Sequence, residues 1–268
     1  MCRLLGVITT SPSSVVDAVG SALLDDFLAL TAVHGDGWGI ATVEQAGAPA
    51  RAVVSADSAL ADPGFAGAVC ELKSVASLVH LRWATNGLAV RPQNSHPFVA
   101  DGIAMAHNGS IKPMQPLDDL LHTDIATSCN GTTDSERYFA LIRQHRRESP
   151  TLAEAARRAA SQLRAIYPDA SLNAMLLGEE QLIVVHAHAH SRLLEEDIDE
   201  INAADLPAEH LEDYFALRVA RRDPGTLVVG STGFGGLAWE PLPPECVAAI
   251  SVRDLSMTLH PLDPLVGH

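Results

Sequence analysis

The chain has 268 residues, of which 47% are hydrophobic, and a formal net charge of −15 at pH 7. This length and apolar content suffice to bury a full core, and we expect one folded domain over residues 1–268. The negative charge argues against nucleic acid and anionic membranes as partners. The first apolar run is too short for a signal peptide, and no later run is long enough to span a membrane.

The four cysteines are Cys2, Cys70, Cys129 and Cys246. They are widely separated and form no CxxC motif, which favours free thiols in a reducing compartment over a disulfide scaffold. We therefore expect a cytoplasmic protein.

The first third of the chain alternates between strand and helix patterns. Residues 2–9 predict a buried strand, and apolar periodicity predicts a helix over 15–32. Residues 34–39 contain three glycines, which indicate a turn with close backbone approach, and a strand resumes at 40–43. Residues 75–83 form the clearest strand pattern in the chain.

The middle of the chain combines a short strand with helices. Residues 102–106 predict a strand that ends at His107-Asn108-Gly109. Helices are predicted over 136–147 and from a capping box at 151 to about 166.

The last third returns to strands, at 172–177, 181–189, 226–230 and 246–252. The acidic stretch 195–213 is expected to be a solvated surface excursion. Strands, then two adjacent helices, then strands predict an α+β fold with mainly antiparallel sheet.

Cys2 becomes the first residue if the initiator methionine is removed. One residue then carries both a thiol and an α-amine. In model compounds the pKa is about 8.5 for a thiol and about 7.7–8.0 for an α-amine. An amine of this kind can act as general base for its own residue's nucleophile, an arrangement used in acyl transfer. The alternative is a chance buried thiol at the edge of a strand.

Four further positions carry groups that such a nucleophile needs. Asn108-Gly109 can supply an oxyanion hole, or be an ordinary hairpin turn. Arg82 can bind a carboxylate, or form a surface ion pair. Asp134 can pair with an ammonium, or cap the helix that follows it. His96 can shape a pocket, or simply bond to backbone.

Six motifs occur in a fixed order along the chain. They are MCRLLG at 1–6, HGDGWG at 34–39, HLRWATNG at 80–87, NSHPF at 94–98, HNG at 107–109 and TDSE at 133–136. This order resembles that of class II glutamine amidotransferases, whose glutaminase domains are N-terminal-nucleophile (Ntn) hydrolases. VVGS at 228–231 and WEPLP at 239–243 are similar to the last strands of that family.

The resemblance implies a four-layer αββα sandwich of two mainly antiparallel sheets. It also implies that Cys2 attacks the γ-carboxamide of glutamine, forms a γ-glutamyl thioester with release of ammonia, and is freed by water. No cofactor and no metal are expected.

By the same resemblance, Asn108 and Gly109 supply the oxyanion hole. Arg82 holds the α-carboxylate of the glutamyl group, and Asp134 holds its α-ammonium. The other site residues that the resemblance implies are Trp83, Thr85 and His96. Asn86 departs from the pattern, because many relatives have His there, which puts the local hydrogen bonding of that motif in doubt.

The motifs define the glutamyl half of the substrate and leave its other half open. No acceptor domain is recognised in the chain, which makes it similar to the stand-alone branch of the family. It is expected to be a glutaminase with a separate ammonia-using partner enzyme, or a γ-glutamyl hydrolase of a larger conjugate, as in ergothioneine-type biosynthesis. A non-catalytic ligand-binding relative is the third alternative.

His186, His188 and His190 alternate along a predicted strand, which would place them on one face. They could bind a transition metal, but their spacing would spread them over roughly 13 Å, too far for one ion. A polar face of an edge strand is the favoured interpretation.

Overall fold

Two antiparallel sheets and the helices that cover them make up the described part of this computed structural model, residues 2–83, 91–193, 195–204, 206, 213–231 and 234–264. The strands are β1 Cys2–Ser13, β2 Trp38–Val43, β3 Arg51–Ser55, β4 Ser74–Arg82, β5 Phe98–Ala100, β6 Ile103–Asn108, β7 Asn173–Gly178, β8 Gln181–His186, β9 Arg218–Asp223, β10 Thr226–Gly230, β11 Glu240–Pro241, β12 Cys246–Ser251 and β13 Met257–Pro261. The helices are α1 Val15–Val19, α2 Ser21–Ala29, α3 Pro63–Glu71, α4 Gln115–Asp118, α5 Thr123–Ala126, α6 Asp134–Arg146, α7 Leu152–Ile166 and α8 Glu195–Ala203.

The two sheets are stacked face to face between two layers of helices. One sheet has the order β11-β9-β10-β1-β4-β2-β3, and the other has the order β13-β12-β8-β7-β6-β5. Helices α1 to α3 pack on the outer face of the first sheet, and α6 and α7 pack on the outer face of the second. The α+β class and the four-layer αββα arrangement expected from the sequence are confirmed.

Strand β1 shows how side-chain alternation builds these layers. Leu4 and Ile8 point between the sheets and belong to the cluster that joins them. Leu5 and Val7 point the other way and pack against α1 to α3. Because successive side chains of a strand face opposite sides, Cys2 is placed on the inter-sheet face together with Leu4.

Helix α7 covers the second sheet with a stripe of small and aliphatic side chains. Thr151 caps it by accepting a hydrogen bond from the Glu154 N–H at 3.2 Å, as the capping box predicts. The stripe, which includes Ala156, Ala160 and Leu163, is fully buried. Within the described residues, none of the helices has the length and apolar character that crossing a bilayer requires.

The helix predicted over 15–32 is divided at Gly20. This residue has φ +85°, a left-handed value that favours glycine, and its N–H caps α1 by donating to Val16 O at 2.8 Å. The continuous helix expected from apolar periodicity was therefore wrong, because the apolar pattern runs through the break.

The strand predicted over 181–189 ends at His186. The Asn173 side chain at the start of β7 accepts the Ala187 N–H at 2.9 Å, while Ala187 O still accepts the Leu172 N–H at 2.8 Å. The expectation that three histidines share one face of an edge strand was wrong, since His188 and His190 follow the strand and β8 lies between β12 and β7. His188 instead lies with its Nε2 2.8 Å from His186 Nε2.

The acidic stretch 195–213 also differs from expectation in its described part. Residues 195–203 form α8, and Ile201 is buried against Tyr214 and Phe215. The segment therefore contributes an apolar anchor to the fold, which its high charge concealed.

Gly39 in β2 provides a test of close packing between the sheets. A Cβ at this position would lie 2.1 Å from the His96 carbonyl oxygen. We expect Gly39→Ala to lower the free energy of unfolding by about 1–3 kcal/mol, because the backbone of β2 and the segment that carries His96 must move apart to admit the methyl group. Denaturant unfolding measures this change.

Gly67→Ala is the matched control. Gly67 lies inside α3, and a Cβ there meets nothing within 4 Å. This variant should be more stable by roughly 0.5–1 kcal/mol, because alanine favours helix. Equal stability of Gly39→Ala and the unchanged protein would contradict the close approach seen at β2.

Candidate active site

The ends of three strands meet at one edge of the sheet sandwich. Cys2 begins β1 and is the register partner of Arg82, which ends the antiparallel strand β4. Both side chains are buried, with 7% and 4% exposure. From the opposite sheet, Asn108 at the end of β6 accepts a hydrogen bond from the Cys2 N–H at 2.9 Å. Residues that are 106 positions apart are thereby brought into direct contact.

The Asn108 carboxamide is held in one orientation. Its Oδ1 faces the Cys2 N–H, so its Nδ2 must point the other way. Nδ2 is buried and has no hydrogen-bond partner among the described residues. The Asn108 carbonyl oxygen accepts from Ser171 Oγ at 2.7 Å, which fixes the backbone. The site therefore presents an amide donor beside Cys2 that the fold itself does not use.

Gly109 follows Asn108 and has no room for a side chain. A Cβ there would lie 2.0 Å from Ser171 O and 2.7 Å from His107 Nε2. Glycine is required here for close packing, which lets the backbone after β6 turn beside Asn108.

The His107 side chain also holds the backbone turn that follows β6. Its Nε2–H donates to Ser171 O and its Nδ1 accepts from Ser135 Oγ, both at 2.9 Å. Burial lowers the pKa of His107, while the Asp134 charge raises it by a smaller amount. The imidazole thus ties β6 to the first turn of α6.

Asp134 is the first residue of α6, after the N-cap Thr133. Its Oδ2 accepts the Ile111 N–H at 2.5 Å, and its Oδ1 accepts the Ser135 N–H at 2.9 Å. These bonds place the half-buried carboxylate beside the segment that follows Asn108-Gly109. The carboxylate is anchored to backbone at the edge of the site.

His80 and His96 form a buried pair next to Cys2. His80 lies two residues before Arg82 on β4, and its Nε2 is 2.9 Å from His96 Nδ1. One nitrogen of each ring and Cys2 Sγ all lie within 4.8 Å of one another. Burial, reinforced by the nearby Arg82 charge, lowers the pKa of each imidazole well below 6.5, so both are neutral at pH 7.

Trp83 packs in a separate aromatic cluster. Its ring meets His34 edge-on at 5.4 Å between centroids, and it belongs to a cluster with Tyr214 and Phe215. Its predicted contact with substrate stays a prediction. Thr85 and Asn86 lie outside the described residues.

The segment that carries Tyr214 and Phe215 joins the two sheets at this edge. Arg3 from the first sheet donates to Tyr214 O at 2.9 Å, and its guanidinium lies 3.7 Å above the Tyr214 ring. Asn173 from the second sheet donates to Phe215 O at 2.6 Å. Arg3 is fully buried, which lowers its pKa, and it points away from Cys2 by strand alternation.

Of the residues predicted from the sequence, the structure brings Cys2, Arg82, His96 and Asn108 together, with Gly109 adjoining. His80, His107 and Ser171 were not predicted as site residues. A signal existed for His80, because period-two alternation puts it on the same face as Arg82. His107 belongs to the HNG motif, but its role, like that of Ser171, depends on contacts between β6, α6 and the segment before β7.

The buried histidines predict a pH dependence of stability. In the unfolded chain an imidazole takes up its proton near 6.5, whereas burial lowers the folded pKa of His80 and His96. The unfolded state therefore binds more protons as the pH falls below 6.5, and stability is lost in that direction. We expect a loss of up to about 1.4 kcal/mol per pH unit for each such imidazole.

His96→Gln should remove about 1 kcal/mol of the stability change between pH 7.5 and 5.5, measured by denaturant unfolding. His122→Gln, at an exposed surface position, is the matched substitution. The same pH dependence in His96→Gln and in the unsubstituted protein would contradict a buried neutral pair.

Comparison with known proteins gives consistent results. Residues 1–199 match the profile of class-II glutamine amidotransferases. A glutamine–fructose-6-phosphate aminotransferase of Agrobacterium fabrum is 30% identical over 148 residues, which are 55% of this chain and 22% of that protein. The chain thus spans about a fifth of the length of this curated relative.

Solved structures share the fold. A glutamine aminotransferase class-II domain protein from Silicibacter pomeroyi superposes with a TM-score of 0.63 and 17% identity, over 98% of this chain and 100% of that one. The glutamine phosphoribosylpyrophosphate amidotransferase of B. subtilis gives 0.65 and 14%, over 98% of this chain and 49% of that one. With its profile match over residues 1–199, the chain belongs to the class-II glutamine amidotransferases.

Proposed function

We propose that this protein hydrolyses a γ-glutamyl amide bond with Cys2 as nucleophile and glutamine as the simplest substrate. One observation carries the proposal. The Cys2 nitrogen is held by Asn108 Oδ1, while Nδ2 of the same carboxamide is buried and has no partner among the described residues. A single side chain thus positions the nucleophilic residue and offers a hydrogen-bond donor to the oxygen of the carbonyl group whose carbon Cys2 would attack.

The proposal requires removal of Met1. The Cys2 nitrogen then becomes an α-amine, already 2.9 Å from Asn108 Oδ1. An α-amine has a reference pKa of about 7.7–8.0, so it is partly unprotonated at neutral pH and can accept the thiol proton, directly or through water. The hydrogen bond to Asn108 keeps this base oriented beside its own thiol.

The reaction then proceeds through two acyl-transfer steps. The Cys2 thiolate adds to the side-chain carbonyl carbon, and Asn108 Nδ2 and the Gly109 N–H stabilise the resulting oxyanion. The C–N bond breaks as the α-amine returns its proton to the leaving nitrogen, which gives ammonia and a γ-glutamyl thioester. Water, deprotonated by the same amine, adds to the thioester and releases glutamate with the thiol.

The charged ends of the glutamyl group would bind to residues of opposite charge. Arg82, the register partner of Cys2, would hold the α-carboxylate through its guanidinium. Asp134, anchored at Ile111, would hold the α-ammonium. His96, and by family resemblance Trp83 and Thr85, would line the remainder of the site.

The leaving group separates two versions of this function. A glutaminase would pass ammonia to a separate enzyme, whereas a γ-glutamyl hydrolase would act on a larger conjugate. The described cysteines are all free, which supports a reducing, cytoplasmic setting for the reaction. We also treat residues 1–268 as one domain. Incubation with glutamine and a panel of γ-glutamyl amides, monitored by glutamate release, distinguishes the two versions. Release from a bulky conjugate but not from glutamine supports the second.

Replacement of the nucleophile is the first test. Cys2→Ala should abolish glutamate release, and intact-mass measurement of the unsubstituted protein should show that Met1 is absent. Cys70→Ser, at an exposed free thiol, is the control and should keep full activity. Activity in Cys2→Ala, or in a protein that retains Met1, would overturn the mechanism, and inactivity of the unsubstituted protein on the whole panel would favour a ligand-binding relative.

Replacement of the oxyanion donor is the second test. Asn108→Ala should reduce kcat by about 10²–10³, the range found when one oxyanion donor is removed. KM should change less, because the glutamyl charges bind elsewhere. An unchanged kcat in a folded Asn108→Ala protein would remove Asn108 from the reaction.

A further inference from the structure

The proposed reaction leaves the histidine pair next to Cys2 without a chemical role. We propose that Cys2, His80 and His96 form a three-ligand Zn²⁺ site, and that a bound ion reversibly blocks the nucleophile. Ion binding does not depend on the proposed hydrolysis, whereas inhibition rests on it.

The ligand types suit zinc. Thiolate sulfur and imidazole nitrogen are its usual protein ligands, and three of them leave a fourth coordination position for water or another ligand. All three side chains are buried, His80 completely. No described carboxylate belongs to this group, so its composition favours zinc over Mg²⁺ or Ca²⁺.

The distances are close to those that the ion needs. The Cys2 sulfur and one nitrogen of each ring lie within 4.8 Å of one another. Across a tetrahedral zinc, sulfur and nitrogen are about 3.6 Å apart and two nitrogens about 3.3 Å. The nitrogens that the rings turn towards each other are 2.9 Å apart, so the rings must separate by about 0.4 Å. The sulfur must approach each nitrogen by at most about 1.2 Å, the difference between 4.8 Å and the tetrahedral separation.

The protons balance with one release. Between two neutral imidazoles, one N–H donates to the other ring's lone pair. When the ion takes the place of that proton, the donor ring moves its proton to its outer nitrogen. The thiol loses its proton to solvent as the sulfur binds the metal. No oxidant or further reactant is involved.

The outer nitrogens of this pair are available to carry its protons. His80 Nδ1 and His96 Nε2 are buried and have no hydrogen-bond partner among the described residues. A ring that binds the ion through the nitrogen facing its neighbour keeps its proton on this outer nitrogen, so both rings can act as neutral ligands. His186, which lies against His188, differs because both of its ring nitrogens have backbone partners. Its Nδ1 lies at hydrogen-bond distance from Pro243 O, and its Nε2 accepts the Leu217 N–H.

Metal titration of the whole protein tests the site without any substrate. We expect one equivalent of Zn²⁺ to bind the unsubstituted protein, with affinity at least about tenfold lower in Cys2→Ser and in His96→Gln. Cys70→Ser and His188→Gln are matched controls of the same residue types and should bind like the unsubstituted protein. Equal affinity in Cys2→Ser, or no binding at all, would overturn the inference.

A second measurement uses the unsubstituted chain and so does not depend on how the variants fold. Bound Co²⁺ should give a thiolate-to-cobalt charge-transfer absorption, and Zn²⁺ should protect Cys2 from iodoacetamide, as measured by peptide mass. Absence of that absorption with bound Co²⁺, or equal alkylation with and without Zn²⁺, would contradict a sulfur ligand. Zinc binding by a protein inactive on every γ-glutamyl amide would overturn the proposed function alone.

Discussion

The hydrogen bond from the Cys2 nitrogen to Asn108 Oδ1 is the contact on which this site depends. It crosses from the first strand of one sheet to the end of a strand in the other. Its geometry needs both sheets at the correct separation, which the apolar layer between them sets through side chains such as Leu4 and Ala106. The core therefore controls the distance between Cys2 and Asn108.

The neighbourhood of this contact is built from groups that are kept uncharged by burial. His80, His96 and His107 all have a lowered pKa because the fold removes them from water. The charge of the buried Arg82 also contributes to the lowered pKa of His80 and His96. In the proposed function, a zwitterionic substrate would meet one buried cation, Arg82, and one anchored carboxylate, Asp134, which favours a single orientation of the glutamyl group.

Much of this arrangement could be predicted from the sequence, for reasons that particular residues make clear. Strong apolar patterns located β1 and β4, and the ordered motifs selected Cys2, Arg82 and Asn108. Pairing over long separations could not be predicted, so the His80–His96 contact and the roles of His107 and Ser171 emerged only from the fold. The local apolar pattern also gave a wrong helix boundary where one residue overrides it, as Gly20 does within the helix predicted over 15–32. Edge strands such as β3, with their weak alternation, gave no signal.

The backbone of the Tyr214-Phe215 segment accepts hydrogen bonds from both sheets, from Arg3 of one sheet and from Asn173 of the other. The two adjacent backbone carbonyl oxygens of this segment are therefore each bonded to a different sheet, near the end of β1 where Cys2 lies. Ile201 of α8 is buried against the same two residues, so α8 packs on a segment that is bonded to both sheets. A displacement of this segment would therefore be transmitted to both sheets, including the strand ends that carry Cys2 and Asn108.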